Sequence, residues 1–145
     1  MAATALVAGV LILLTEVTTV ISVDLARTDC DVIYDSNPKL ADGCSQTGFE
    51  RSSVALLLLG VLTLVMGAGA ALGRSRPAAI ALVAIGVVVL GIALLGDLPA
   101  SDDTGLIGRN YDQASASTGT GFWFEVVGGV LAIVAGALRL IRPDD

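Results

Sequence analysis

Four near-continuous apolar stretches constrain this 145-residue chain more than any other feature. They run over about 2–23, 53–73, 78–96 and 120–141. A helix of about 20 residues, rising 1.5 Å per residue, crosses a hydrocarbon core about 30 Å thick. What lies between the stretches is too short for a soluble enzymatic domain. The sequence therefore predicts an all-α membrane protein: a four-transmembrane-helix bundle in a single domain, 1–145, with ordered outer loops. The composition agrees, because 54% of residues are hydrophobic and soluble domains hold about 45–50%.

The first stretch, Ala2 to Val23, is read as an uncleaved helix. It has no charged n-region, and its apolar run is too long for a signal peptide. Its outer half carries Thr15, Thr18, Thr19 and Ser22, hydroxyls expected to bond back along the helix or across to a neighbour. The second stretch ends in Gly67, Gly69 and Gly73, and the pair Gly69/Gly73 has the spacing that lets another helix approach closely. The third has no charged or hydroxyl side chain. The fourth begins with interfacial aromatics (Phe122, Trp123, Phe124). It then bears Glu125, carries a stripe of small residues (Gly128, Ala132, Gly136) for helix packing, and ends in Arg139 and Arg142.

The chain has no histidine, which removes histidine metal sites and histidine bases. No metal or other cofactor is expected. The net charge of −6 falls on two connections. Segment 24–52 sets six acids against Arg27, Lys39 and Arg51, and segment 97–119 sets four acids against Arg109. Acidic faces of this kind argue against nucleic acid. Cys30 and Cys44 lie in the first connection. Their spacing is not that of a redox-active dithiol, and a structural disulfide in an oxidising compartment is the better reading. Closing that loop stabilises by about 3 kcal/mol in the chain-entropy model. The second connection mixes Leu98, Leu106, Ile107 and Tyr111 with acids, so an ordered cap over the outer end is expected, with a short helix near 109–116.

Arg74, Arg76, Arg139 and Arg142 sit in very short segments against the membrane, whereas the other four basic residues are diluted in acidic loops. The positive-inside rule then places both termini in the cytoplasm and the two acidic loops outside a plasma membrane.

The two halves, about 1–77 and 78–145, resemble repeated helical hairpins. GVLTLVMGA at 60–68 aligns with GVLAIVAGA at 129–137, and each is preceded by Thr-Gly-Phe and followed by Arg-Pro. VDLARTD at 23–29 resembles GDLPASD at 96–102. Glu16 and Glu125 do not follow this repeat. Glutamates inside spans are costly and face the interior or a wet cavity. In one reading both acids anchor the outer loops, with Arg109 as counter-ion. In the other they line an outward pocket for a cation or proton.

The segment DLPASDDTGLIGRNYDQASASTGTGFWFEVVGG, together with the four-span topology, resembles small tetraspan bacterial membrane proteins of actinobacterial type whose function is uncharacterised. The resemblance implies membrane residence and no activity. Claudin-like proteins share four helices and a cysteine pair, but their Trp and Gly-Leu-Trp signature is absent. Disulfide oxidoreductases of this topology need a C-x-x-C pair, absent here. Small multidrug-resistance transporters carry a glutamate in the first span, but have short loops. The expected function is non-enzymatic: an accessory or scaffold subunit in the lipid bilayer, associating laterally with itself or with a membrane-protein partner. The alternative is a small channel or an ion- or proton-coupled transporter using Glu16 and Glu125.

Overall fold

The computed structural model describes residues 2–25, 44–52, 54–72, 75–100 and 114–141. It is mostly helical. Helix α1 (Ala2–Thr15) leads into strand β1 (Thr19–Leu25). Strand β2 (Ser45–Thr47) and the short helix α2 (Gly48–Ser52) precede α3 (Ala55–Leu72). Helix α4 (Arg76–Ala100) follows, then β3 (Ala114–Thr118) and α5 (Thr120–Ile141). Three helices, α3, α4 and α5, are long and apolar enough to cross a membrane. Their outward faces are apolar: Leu58, Val65, Ile80 and Val87 are each more than half exposed.

The first expected span is corrected. It is helical only to Thr15, and the chain then turns and runs as a strand. The cause is composition. Val17 to Val23 reads VTTVISV, a nearly unbroken β-branched run whose stiff side chains suit a pleated strand better than a helix. β1 lies at the centre of an antiparallel three-stranded sheet, ordered β2-β1-β3. Ile21 sits opposite Thr118 and Gln46, and Ser22 opposite Ser117 and Ser45. The Ser22 and Ser117 hydroxyls meet at 3.0 Å. The short helix expected near 109–116 is also corrected. Residues 114–116 belong to β3, where ASAST pairs along β1, and residues 109–113 lie outside those described.

α2 is started by a capping box. The Thr47 amide donates to Glu50 Oε2 at 2.8 Å, and the Glu50 amide returns a bond to Thr47 Oγ1 at 3.4 Å. α4 is started by Ser75, whose Oγ accepts from the Ala78 amide, with Pro77 in the first turn, where no amide is needed. α4 then runs past the expected end at 96. Ile92–Asp97 winds as a π-helical turn and the helix continues to Ala100. The repeat therefore breaks at the outer end: Val23–Leu25 is strand, whereas its aligned counterpart, 96–98, is helix.

α1 packs on both α3 and α5, and so does α4. The inner core is built from Ala5, Ala70, Ala78, Leu82 and Ala135, with Met66 against it. A middle cluster holds Ile12, Leu56 and Val89. At the sheet end Val20 and Ile21 of β1 pack with Ala93 and Phe122, so the sheet is bolted to the helices.

Glycines set the helix spacing. A Cβ on Gly86 of α4 would lie 2.6 Å from the carbonyl oxygen of Gly129 on α5. A Cβ on Gly91 would meet nothing within 4 Å. Gly86→Ala should therefore force the two helices apart and lower stability by about 1–3 kcal/mol. Gly91→Ala should be neutral, or stabilising by up to about 1 kcal/mol. Thermal unfolding of both variants in mild detergent checks the contrast; equal behaviour would show that α4 and α5 are not held at this distance.

Candidate functional site

The buried acids gather at the end of the helices that carries the sheet. The buried polar side chains among the described residues are Thr15, Glu16, Thr63, Asp97 and Glu125. The two threonines are satisfied. Thr63 donates to the Leu59 carbonyl at 2.7 Å, and Thr15 Oγ1 reaches the carbonyls of Leu11, at 3.2 Å, and Gly121, at 3.4 Å. The three acids are different.

Glu16 is not inside a helix. It sits in the turn after α1, where its amide bonds the Leu13 carbonyl and its own carbonyl accepts from the Phe49 amide. Its carboxyl oxygens are buried without a hydrogen bond of proper geometry, but they face the backbone amide of Leu57, the third residue of α3. A carboxylate at a helix N-terminus is favoured by the unpaired amides and the macrodipole there. This corrects the expectation that Glu16 lies inside a helical span.

Glu125 is the sixth residue of α5 and is fully buried. Neither of its carboxyl oxygens has a hydrogen-bond donor of proper geometry. Its neighbour is another acid, Asp97. Sequence reasoning assigned Asp97 to the acidic connection 97–119. The structure instead puts it in the last position of the π turn, 2% exposed. Its Oδ1 accepts from Arg51 Nε at 2.9 Å, while its Oδ2 has no partner. Arg51 also donates from a terminal nitrogen to the Gly96 carbonyl at 3.1 Å. One arginine thus ties α2 to the outer end of α4, where a cation complements the dipole.

Arg109, the expected counter-ion, lies outside the described residues, as do Cys30 and Gly73. The base brought to this acid cluster is Arg51. No local sequence signal marks it, because Arg51 and Asp97 are 46 residues apart. Cys44 is buried beside β1, its carbonyl accepting from the Val23 amide at 2.7 Å. The expected pairing of Cys44 with Cys30 falls outside what the structure describes.

The helix-packing residues divide. Gly128 is buried, with room for no side chain: a Cβ would lie 2.8 Å from Ile12 Cγ1 of α1. Gly136 stands equally close to the Ala79 carbonyl of α4, and Ala132 between them is fully buried. Gly69 makes only an ordinary contact with Ala78. The tight positions on α3 are Gly60, against Leu13, and Gly67, against Ala5. Among the aromatics, Phe122 is buried under the sheet, Phe124 is half-buried and Trp123 is 59% exposed. Phe122 and Trp123 stack edge to face, their ring centroids 5.5 Å apart.

Comparison of the chain with protein-family models, with curated proteins and with solved structures finds no match in any of the three.

Removing one partner of a buried ion pair strands the other. Arg51→Ala leaves Asp97 buried and unpaired and should cost about 3 kcal/mol, the low end for buried pairs because the guanidinium is 32% exposed. Asp97→Asn should cost less, since Arg51 can turn to water. Unfolding of both single variants and of the double variant gives the coupling. Additive losses would mean that the pair does not act as a unit.

Proposed function

We propose that the protein is a non-enzymatic integral membrane protein, an accessory or scaffold subunit that associates laterally with itself or with a larger membrane complex. In this reading α1 joins α3, α4 and α5 as the fourth span of a four-transmembrane-helix bundle. The bundle lies in a bacterial plasma membrane with both termini cytoplasmic and the sheet outside. Two helical hairpins repeat in it. In support, each Thr-Gly-Phe motif follows a strand paired on β1 and lies where a helix begins. Cys30 and Cys44 form a disulfide in the outer connection.

One observation carries the reading. The described interior is apolar at the inner end, holds at mid-depth one hydroxyl bonded to its own helix, Thr63, and carries its acids at the outer end. A channel or transporter needs polar groups through the full depth, and none of the described buried polar residues lies at the inner end. What the helices do offer is lateral surface. Leu6, Leu58, Val65, Ile80 and Val87 point outward, at least half exposed, as helices facing lipid or a neighbouring span require.

Copurification after mild detergent extraction, read by mass spectrometry, tests this for wild type and for Glu16→Gln/Glu125→Gln. A stable oligomer or membrane partner that survives the substitutions is expected. A strictly monomeric protein with wild-type-only, proton-dependent flux in liposomes would replace the scaffold reading with transport. The disulfide has its own check: thiol reagents should label Cys30 and Cys44 only after reduction.

A further inference from the structure

Glu125 is fully buried in the outer third of α5, and neither of its carboxyl oxygens has a hydrogen-bond partner. Asp97, the acid it faces, has one oxygen committed to Arg51 and the other unpartnered. Among the described residues, the charged groups that meet here are two carboxyls and one guanidinium. Buried charge is tolerated only when it is paired, because removal from water costs several kcal/mol per ion. The cluster is therefore one positive charge short.

We propose that the Asp97–Glu125 pair is a binding site for one small monovalent cation, a proton or a sodium ion, taken up from the outer side. The charge count selects the valence: with Arg51 in place, the two carboxyls leave room for one unit. A divalent ion also lacks ligands, since no cluster of three acidic, cysteine or histidine side chains exists among the described residues. Size is restricted by packing. Ala93 and Phe122, one helical turn before Asp97 and Glu125, belong to an apolar cluster with Val20 and Ile21, which favours a small ion over an organic cation. Arg51, which holds Asp97, is the partly exposed member of the cluster, its side chain 32% exposed.

Asp97 is the last residue of a π turn, Ile92–Asp97, four residues beyond the buried Ala93. Such turns occur often at functional sites. The charged groups that face the pair can be named element by element among the described residues. Arg51 comes from α2 and Asp97 from α4. α1 brings only the Thr15 hydroxyl, and the nearby Glu16 is turned to the Leu57 amide. From β1 come Val20 and Ile21, and α3 contributes no charge.

The proposal rests on the membrane reading but not on the scaffold assignment, and its test involves no partner. The full chain in lipid nanodiscs is melted in sodium chloride and in choline chloride at equal ionic strength and fixed pH. The infrared carboxyl stretch is recorded in parallel. A sodium site gives a saturable rise in melting temperature with sodium, with affinity weakened at least about tenfold in Glu125→Gln. A proton site gives no sodium response but an un-ionised carboxyl band at neutral pH that Glu125→Gln removes. Absence of both signals in the wild type overturns the proposal. Should Glu125→Gln fail to fold, Glu16→Gln decides. The signal persists in that variant if the site is Asp97–Glu125, and its loss would assign the signal to Glu16 and sink the proposal.

Discussion

The bare backbone of α5 governs the arrangement of the helices. Gly128 meets α1 and Gly136 meets α4, each at a distance that a side chain would forbid, and Gly129 meets α4 almost as closely. Helices surrounded by lipid gain no hydrophobic drive toward one another, so close dispersion contact has to hold them. A helix with small residues on two adjoining faces can engage two neighbours at once. α1 repeats the device on its other side, where Gly9, Gly60 and Gly67 bring it against α3. At 14 residues, or about 21 Å, α1 is too short to cross a hydrocarbon core unaided, and its two-sided packing supports it.

The short first helix puts a demand on the outer end. Once the helix stops at Thr15, its last carbonyls and the amides that follow need partners, and at membrane depth non-helical backbone is tolerated only when protein satisfies it. The outer connections supply those partners. The Gly48 amide bonds the Thr18 carbonyl, the Phe49 amide that of Glu16 and the Gly119 amide that of Val20. β1 is then flanked on both sides by β2 and β3. The sheet is thus less an ornament on the helices than the termination of α1. Gly48 and Gly119 stand where they do because a Cβ at either would strike the backbone of the α1–β1 turn.

Much of this was legible in the sequence, and the parts that were not share a cause. The extent of α5, the outward apolar faces and the buried small stripe follow from hydropathy and spacing along one helix. β1 was hidden because VTTVISV is apolar enough to extend a span, and hydropathy alone does not separate a buried strand from the end of a helix. Its β-branched run was the available signal. Asp97 was hidden because the apolar run ends at Gly96, so the aspartate after it looks like the first residue of the connection, although it falls four residues beyond Ala93 on the same helical face. Gly60 and Gly67 were passed over in favour of Gly69 and Gly73, because pairs four apart attract attention while a seven-residue spacing on one face does not.

The three buried acids make the case that environment, not depth, assigns their roles. Glu16 faces the N-terminal turn of α3, where free amides and the positive end of the macrodipole offset a carboxylate. Asp97 sits near the C-terminal end of α4, where the dipole has the opposite sign, so it needs a cation, and Arg51 serves both it and the Gly96 carbonyl. Glu125 has neither kind of help. As the sixth residue of α5 it lies beyond the first turn, where the dipole effect has fallen away, and Asp97 already holds the one arginine. An isosteric glutamine at 125 would keep the shape and need no counter-charge. A carboxyl there therefore adds nothing to packing that an amide could not supply. What it alone adds is the capacity to hold a positive charge at the point where α2, α4 and α5 converge.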